Sequence, residues 1–204
     1  VLAGCSSGTT TKGGGTAYTT SEKTDGKTSF VQVVNPNGGQ VLSYAKEGAM
    51  KIISAKEGDY TYAFKDLNGN GELDPAEDWR LDAEERADAY VSGLTKEQMS
   101  GLMLFSSHER APGDGLTEDQ KTYLSESYLR NVLNAGPSDV KMNVQWVNEM
   151  QAYVESLGTA ETPYIPVNYS SDPRSDASKD AAFSTAGEIS KWPSSLGLAA
   201  TFDP

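Results

Sequence analysis

The chain has 204 residues, with 17 Lys or Arg against 29 Asp or Glu and a net charge of −12. This length suits one main domain with a small additional module, and the acidic balance excludes nucleic acid as a partner, because binding a polyphosphate relies on Lys and Arg that displace counterions. The sequence contains no apolar run of the roughly 18 residues that a membrane-spanning helix needs.

The N-terminus carries the single cysteine of the chain. Residues 2–5 read Leu-Ala-Gly-Cys, which resembles the lipobox of bacterial lipoproteins, in which the cysteine is lipidated and becomes the mature N-terminus. The charged and apolar parts of a signal peptide do not precede it, so Val1 is interpreted as the remainder of a trimmed signal. We expect an exported lipoprotein held on the cell surface or in the periplasm, with Cys5 as its only membrane contact; the alternative is a chance cysteine in a disordered tail.

A flexible tether and a β-rich lead-in are predicted next. Residues 1–28 are mostly Gly, Ser, Thr and Lys, a composition that buries too little apolar surface to offset the entropy of ordering. Residues 29–34 alternate like a strand, and the Asn, Pro and Gly residues at 35–39 predict the turn that ends it. Residues 50–64 read as another extended stretch, so residues 29–80 are assigned to the lead-in.

The lead-in contains a segment of twelve residues that matches a calcium-binding loop of the EF-hand type. Side-chain oxygens occupy loop positions one, three, five, nine and twelve, Gly71 at position six permits the sharp turn, and position seven would contribute its main-chain carbonyl. The predicted Ca²⁺ ligands are Asp66, Asn68, Asn70, Glu72, Asp74 and Glu77. The alternative is an Asn- and Gly-rich turn that holds no metal.

The role predicted for this calcium is structural. Sensor proteins use paired EF-hands, whereas this sequence has one loop without two obvious flanking helices. We therefore predict that a bound ion acts as a structural clip and not as part of a sensor. Two neutral asparagines among the ligands predict weak affinity, suited to calcium-rich surroundings outside the cell.

Helices are predicted from residue 81 onwards. An N-cap residue followed three positions later by Glu or Gln indicates three helix starts, at Asp82 and Glu85, at Thr95 and Gln98, and at Thr117 and Gln120. The clearest helix follows Ser138 and ends at Gly158, with an apolar stripe at Val140, Val144, Val147, Met150, Val154 and Leu157. Strand candidates at 128–133 and 165–171 flank this helix, which is the βαβ signature of a parallel sheet.

Three segments carry motifs of one enzyme family. The calcium-type loop runs into Glu-Asp-Trp-Arg at 77–80, and Leu-Thr-Lys-Glu at 94–97 leads to a Met-containing stretch. The most specific segment reads Trp-Pro-Ser-Ser-Leu-Gly-Leu-Ala-Ala-Thr-Phe-Asp-Pro at 192–204. Over residues 60–204 the chain resembles the N-terminal region of bacterial family 3 glycoside hydrolases, the β-glucosidase-like enzymes.

This resemblance implies an α/β fold in which residues 81–204 form the incomplete N-terminal portion of a (β/α)8 TIM barrel, about three of its eight βα units. It implies an enzyme that hydrolyses terminal β-D-glycosidic bonds of an oligosaccharide or glycoside with retention. The family's nucleophile and acid/base have no counterpart here, so we expect the chain alone to be inactive. The alternative is a calcium-dependent cell-surface binding module.

The resemblance also implies a substrate-binding aspartate at Asp172. The family commonly has His-Gly after it, where this chain has Pro173 and Arg174, and Arg174 is taken as a second candidate contact. The alternatives are a turn-forming aspartate and an arginine paired with a neighbouring acid. Trp79 and Trp192 are predicted to pack in the core, and His108 is predicted to lie in a solvated loop.

Overall fold

The computed structural model describes residues 16–106, 113–134, 139–159, 164–171, 193 and 195–202. Five residues singled out above lie outside them, namely Cys5, His108, Asp172, Arg174 and Trp192. In chain order the elements are β1 Thr19–Thr24, β2 Ser29–Val34, β3 Val41–Ala45, β4 Lys51–Glu57, β5 Tyr60–Asp66, α1 Ala83–Ser92, α2 Lys96–Leu102, β6 Phe105–Ser106, α3 Glu118–Ser125, β7 Asn131–Asn134, α4 Val140–Glu155, β8 Asn168–Ser171 and α5 Ser195–Ala199. Within the described residues, none of these helices combines the length and the apolar character needed to cross a bilayer.

The lead-in consists of an antiparallel sheet in the order β1-β2-β3 and a β4–β5 hairpin. The strand predicted over residues 29–34 is confirmed as β2, and the turn at 35–39 is confirmed with Asn37 and Gly38 at φ values of 52° and 74°. The stretch predicted over 50–64 is two strands, because the chain reverses at Gly58, where φ is 57°. Positive φ at a glycine carries no steric cost, which allows this reversal.

The tether predicted over residues 1–28 is too long, and this is a correction. Thr19–Thr24 forms β1 and pairs along its whole length with β2, so the lead-in includes residues 16–28 as well. Composition was misleading here because a strand at a sheet edge is held by main-chain hydrogen bonds, and the β-branched threonines suit that conformation. Residues 1–15 lie outside the described part of the chain.

A buried asparagine joins the two parts of the lead-in. Asn35 is 5% exposed; its Nδ2 donates to the carbonyl of Ala63 at 3.1 Å, and its Oδ1 accepts the N–H of Ala63 at 2.7 Å. Trp79 completes the junction by stacking on Phe64 at 5.3 Å while its indole N–H donates to Ala63. The predicted packing role of Trp79 is confirmed.

The second half of the chain is built on a parallel sheet in the order β6-β7-β8. Helix α4 connects β7 to β8, which confirms the predicted βαβ arrangement and an α/β fold. Both strands begin later than predicted, at Asn131 and Asn168. Tyr128 has a φ of 54°, which is incompatible with an extended strand.

The helix starts are those that the capping residues predict. Asp82, Thr95 and Thr117 are the N-caps of α1, α2 and α3, and α2 and α3 have complete capping boxes. In α4 the apolar stripe needs correction. Trp146, Met150 and Val154 are its fully buried side chains, whereas Val144 is 42% exposed because it lies two residues from Trp146, on the opposite side of the helix.

The main core lies between α3, α4 and the parallel sheet. Its buried residues are Leu124, Leu129, Val132, Trp146, Met150, Val154, Tyr164 and Val167. A second cluster packs Tyr90 and Leu94 against Tyr128.

Gly101 in α2 packs closely against the main chain of residues 127–128. A Cβ added there would lie 2.1 Å from the Ser127 carbonyl oxygen and 2.8 Å from Tyr128 Cβ. We expect Gly101→Ala to destabilise the chain by about 1–3 kcal/mol as an overpacked site, although Ala gains roughly 1 kcal/mol over Gly in helix propensity. Thermal unfolding measures this change. Gly93→Ala is the matched control, because its nearest contact would be an ordinary 3.7 Å; a Gly101→Ala protein as stable as that control would contradict the prediction.

Candidate metal site in the loop from Asp66 to Glu77

Strand β5 ends at Asp66, the first residue of the loop. The loop ends at Glu77, before α1 begins at Ala83. The predicted absence of two flanking helices is confirmed, since a strand precedes the loop and the next helix begins only at Ala83. Gly69 and Gly71 have φ values of 74° and 77°. Glycine adopts this left-handed backbone without steric cost, which explains the two glycines within three residues.

Side-chain oxygens of the loop accept main-chain N–H groups of the loop itself. Asn68 Oδ1 accepts the N–H of Asn70 at 3.0 Å, and Asn70 Oδ1 accepts the N–H of Glu72 at 2.7 Å. Asp66 Oδ2 accepts the N–H of Gly71 at 3.0 Å. The bonds of Asn68 and Asn70, each to the N–H two residues further on, are Asx turns. Together with the longer-range bond of Asp66 they curl the main chain around these side chains.

The end of the loop is closed by Glu77. Its Oε1 accepts the N–H of Leu67 at 2.6 Å and its Oε2 accepts the N–H of Asp74 at 3.1 Å. Glu77 is 4% exposed. Burial raises its pKa and the carboxylates of Asp74 and Asp66 act in the same direction, against the lowering effect of the two N–H donors.

The loop concentrates negative charge without a basic partner. Among the described residues, no Lys or Arg forms an ion pair with Asp66, Asp74 or Glu77. Asp66 is 3% exposed, and in the described structure its Oδ1 is a buried oxygen without a hydrogen-bond partner. A buried carboxylate oxygen that lacks a donor is costly, so this atom is suited to a cation.

Asp74 accepts hydrogen bonds from two side-chain amides. Its Oδ2 accepts Nδ2 of Asn68 at 2.7 Å and Nδ2 of Asn70 at 2.9 Å. Within the described residues, no group of three or more His, Cys, Asp or Glu side chains is arranged to hold a metal ion. A cation in this loop would therefore depend on amide and main-chain oxygens in addition to the carboxylates.

A charged seam beside the loop was not found from the sequence. Lys65 Nζ donates to Glu155 Oε1 at 2.7 Å and to the Ser43 carbonyl at 2.9 Å, and Glu155 Oε2 accepts the N–H of Ala45 at 2.6 Å. These bonds join β3 and β5 of the lead-in to the end of α4. The sequence signal for this ion pair was Lys65 in a strand whose other residues are mostly apolar. Such a lysine is too common to indicate that it has a buried acidic partner.

The predicted substrate and lipidation residues Asp172, Arg174 and Cys5 lie outside the described residues. The six metal ligands predicted from the sequence lie within the described residues, in the loop between β5 and α1. The side chain of Glu72 is exposed.

Comparison with known proteins finds a relative of this chain among the glycosidases. No family model matches the chain. It is 37% identical over 147 residues to a periplasmic beta-glucosidase/beta-xylosidase of Dickeya chrysanthemi, an alignment that covers 69% of this chain and 22% of the relative. The chain thus spans about a fifth of that relative's length. The predicted resemblance is confirmed, because over the aligned residues the chain is similar to a β-glucosidase-like glycoside hydrolase.

Proposed function

We propose that the chain is the N-terminal part of an exported family 3 glycoside hydrolase whose full-length form cleaves terminal β-D-glycosidic bonds with retention. The identity of 37% to a protein named beta-glucosidase/beta-xylosidase carries this proposal. The parallel order β6-β7-β8 with connecting helices supports the opening units of a (β/α)8 barrel. The substrate is an oligosaccharide or glycoside.

Substrate contact is proposed at Asp172 and Arg174. Asp172 directly follows β8 in the sequence, and α/β proteins bind their ligands at the carboxyl ends of parallel strands. An aspartate there accepts hydrogen bonds from sugar hydroxyls. The arginine replaces a residue of the family pattern and would donate to the same sugar.

Assays on two lengths of the protein test the function. Retaining hydrolysis needs two carboxyls about 5 Å apart, and in the resembled family both lie beyond this stretch. We expect the longer protein to hydrolyse p-nitrophenyl β-glucoside or β-xyloside and the 204-residue chain to show no turnover. Asp172→Asn in the longer protein should lower kcat/KM by about 10–100-fold, the cost of one to two lost sugar hydrogen bonds to a charged acceptor. A longer protein that is inactive on both substrates, or turnover by the short chain, would overturn the proposal.

Calcium is proposed as a structural ion of the loop. Its ligands would be Asp66, Asn68, Asn70, Asp74 and Glu77 with the main-chain carbonyl of Glu72. The unpartnered Asp66 Oδ1 and the three carboxylates without a basic partner fit a hard cation that prefers oxygen. Asn68 and Asn70 would turn their amide oxygens towards the ion in place of their present bonds to Asp74. The ion would supply charge neutralisation and stiffness.

The lipid anchor is proposed at Cys5. Its tetrad and the Ser- and Thr-rich residues after it support attachment to a membrane by an acylated cysteine, and the relative from Dickeya chrysanthemi is named a periplasmic protein. Fractionation of cells expressing the precursor tests the anchor. A Cys5→Ala protein that stays with the membrane fraction as the native protein does would sink it.

A calcium-dependent binding module is the second candidate, favoured by the loop alone. Pull-down of the chain on insoluble β-glucan, with calcium and with EDTA, separates the two functions. Calcium-dependent retention together with an inactive longer protein would support the module.

A further inference from the structure

The calcium loop is joined to the parallel sheet through the main chain of one residue. The N–H of Leu67 donates to Glu77 Oε1 at 2.6 Å, and the carbonyl of Leu67 accepts the N–H of Tyr164 at 2.7 Å. Tyr164 lies four residues before β8. Leu67 therefore contacts a proposed calcium ligand on one side and the segment that leads into β8 on the other.

The segment from Tyr164 to Val167 is held at both ends. Tyr164 and Val167 are each 4% exposed. At the far end, the side-chain amide of Gln151 donates to the Val167 carbonyl at 2.8 Å and accepts its N–H at 3.0 Å. At the near end, a Cβ on Gly158 would lie 3.0 Å from the Leu67 oxygen, so the main chains pass in close contact. A displacement of Leu67 would be transmitted to this segment through the hydrogen bond between the Leu67 carbonyl and the Tyr164 N–H.

The carboxylate that accepts the Leu67 N–H lies in a negatively charged loop. Glu77 accepts this N–H from a position beside Asp66 and Asp74, and like charges in one loop repel each other. A cation bound in the loop would reduce that repulsion and keep Glu77 against Leu67.

We propose that calcium binding in the loop positions the Tyr164–Val167 segment, and with it strand β8, through Leu67. This inference rests on the proposed calcium site. It extends the role of the ion from a structural clip to an element that sets the amino end of β8, where the Tyr164–Val167 segment enters the strand.

Amide hydrogen exchange of the Tyr164 N–H tests the inference in the full 204-residue chain. Calorimetry first supplies the calcium Kd, and exchange is then followed by NMR from calcium-free buffer to 100 times that Kd. If the opening that exposes the Tyr164 N–H also releases calcium, the protection factor of that N–H rises in proportion to the calcium concentration. At 100 times the Kd the protection factor is then about 100-fold higher than without calcium. The Asp25 N–H, which donates to Thr28 in the β1–β2 turn, serves as the reference and should not respond.

The outcomes separate the two proposals. Calorimetric binding with constant Tyr164 protection, or with an equal rise at Asp25, would overturn the coupling and leave the calcium site standing. An absence of calorimetric binding would remove the calcium site and the coupling together.

Discussion

Replacing Asp66 and Glu77 together by alanine should abolish calcium binding and the stabilisation that calcium provides. The pair contributes the first and last carboxylates of the loop, and both are almost fully buried. At 100 times its Kd, a ligand that binds only the folded state adds about 2.7 kcal/mol, which raises the Tm of a chain of this size by roughly 5–10 °C. Titration calorimetry measures binding, and thermal unfolding with calcium and with EDTA measures the increment.

Two further variants sharpen this experiment. Asp66→Asn combined with Glu77→Gln keeps the volume of both side chains and one acceptor oxygen on each while removing their charges, so it separates loss of metal binding from loss of packing. Glu77→Gln leaves one of the N–H groups of Leu67 and Asp74 without its present acceptor. Asp59→Asn removes one negative charge from the exposed β4–β5 turn and should leave the calcium increment intact. An unchanged calcium titration in the double alanine variant would rule out the assigned ligands.

Glu155→Ala is expected to be the most destabilising single change at the seam between the lead-in and α4. The side chains of Glu155 and Lys65 are 4% and 16% exposed. Breaking a buried pair by removing one partner costs about 3–5 kcal/mol, and the Ala45 N–H would lose its acceptor as well. Because Lys65 retains some contact with water, we expect the lower end of that range in urea unfolding at pH 7.

A double variant separates the pair from its surroundings. Lys65→Met with Glu155→Gln removes both charges and keeps an acceptor for Ala45, so it should recover much of the loss seen in Glu155→Ala. Glu118→Gln is the control, because its ion pair with Lys121 lies in solvent and should not shift the unfolding midpoint. A Glu155→Ala chain that unfolds at the midpoint of this control would show that the seam contributes nothing.

Local features of the fold could be predicted from the sequence. The N-caps at Asp82, Thr95 and Thr117 follow from side-chain hydrogen bonds that span three residues, and the loop from Asp66 to Glu77 follows from the spacing of Asp, Asn, Gly and Glu within one segment. Such interactions require no knowledge of the rest of the chain. The βαβ order and the resemblance to glycosidases followed in the same way, from patterns that are contiguous in sequence.

Other features depend on partners far away in the sequence. Strand β1 was missed because its partner β2, not its own composition, stabilises it, and Trp146 was missed because the direction of the α4 core face is set by the sheet beneath it. The seam of Lys65 and Glu155 joins residues 90 positions apart, and Leu67 meets Tyr164 through main-chain atoms that carry no sequence signal.

The loop, the helix starts and the resemblance to a glycosidase could thus be predicted, since each depends on neighbouring residues. The burial of the unpartnered Asp66 oxygen and the bond from Leu67 to the segment before β8 became visible only in the folded chain. Burial and main-chain contacts arise when distant segments pack together, and no local pattern encodes them.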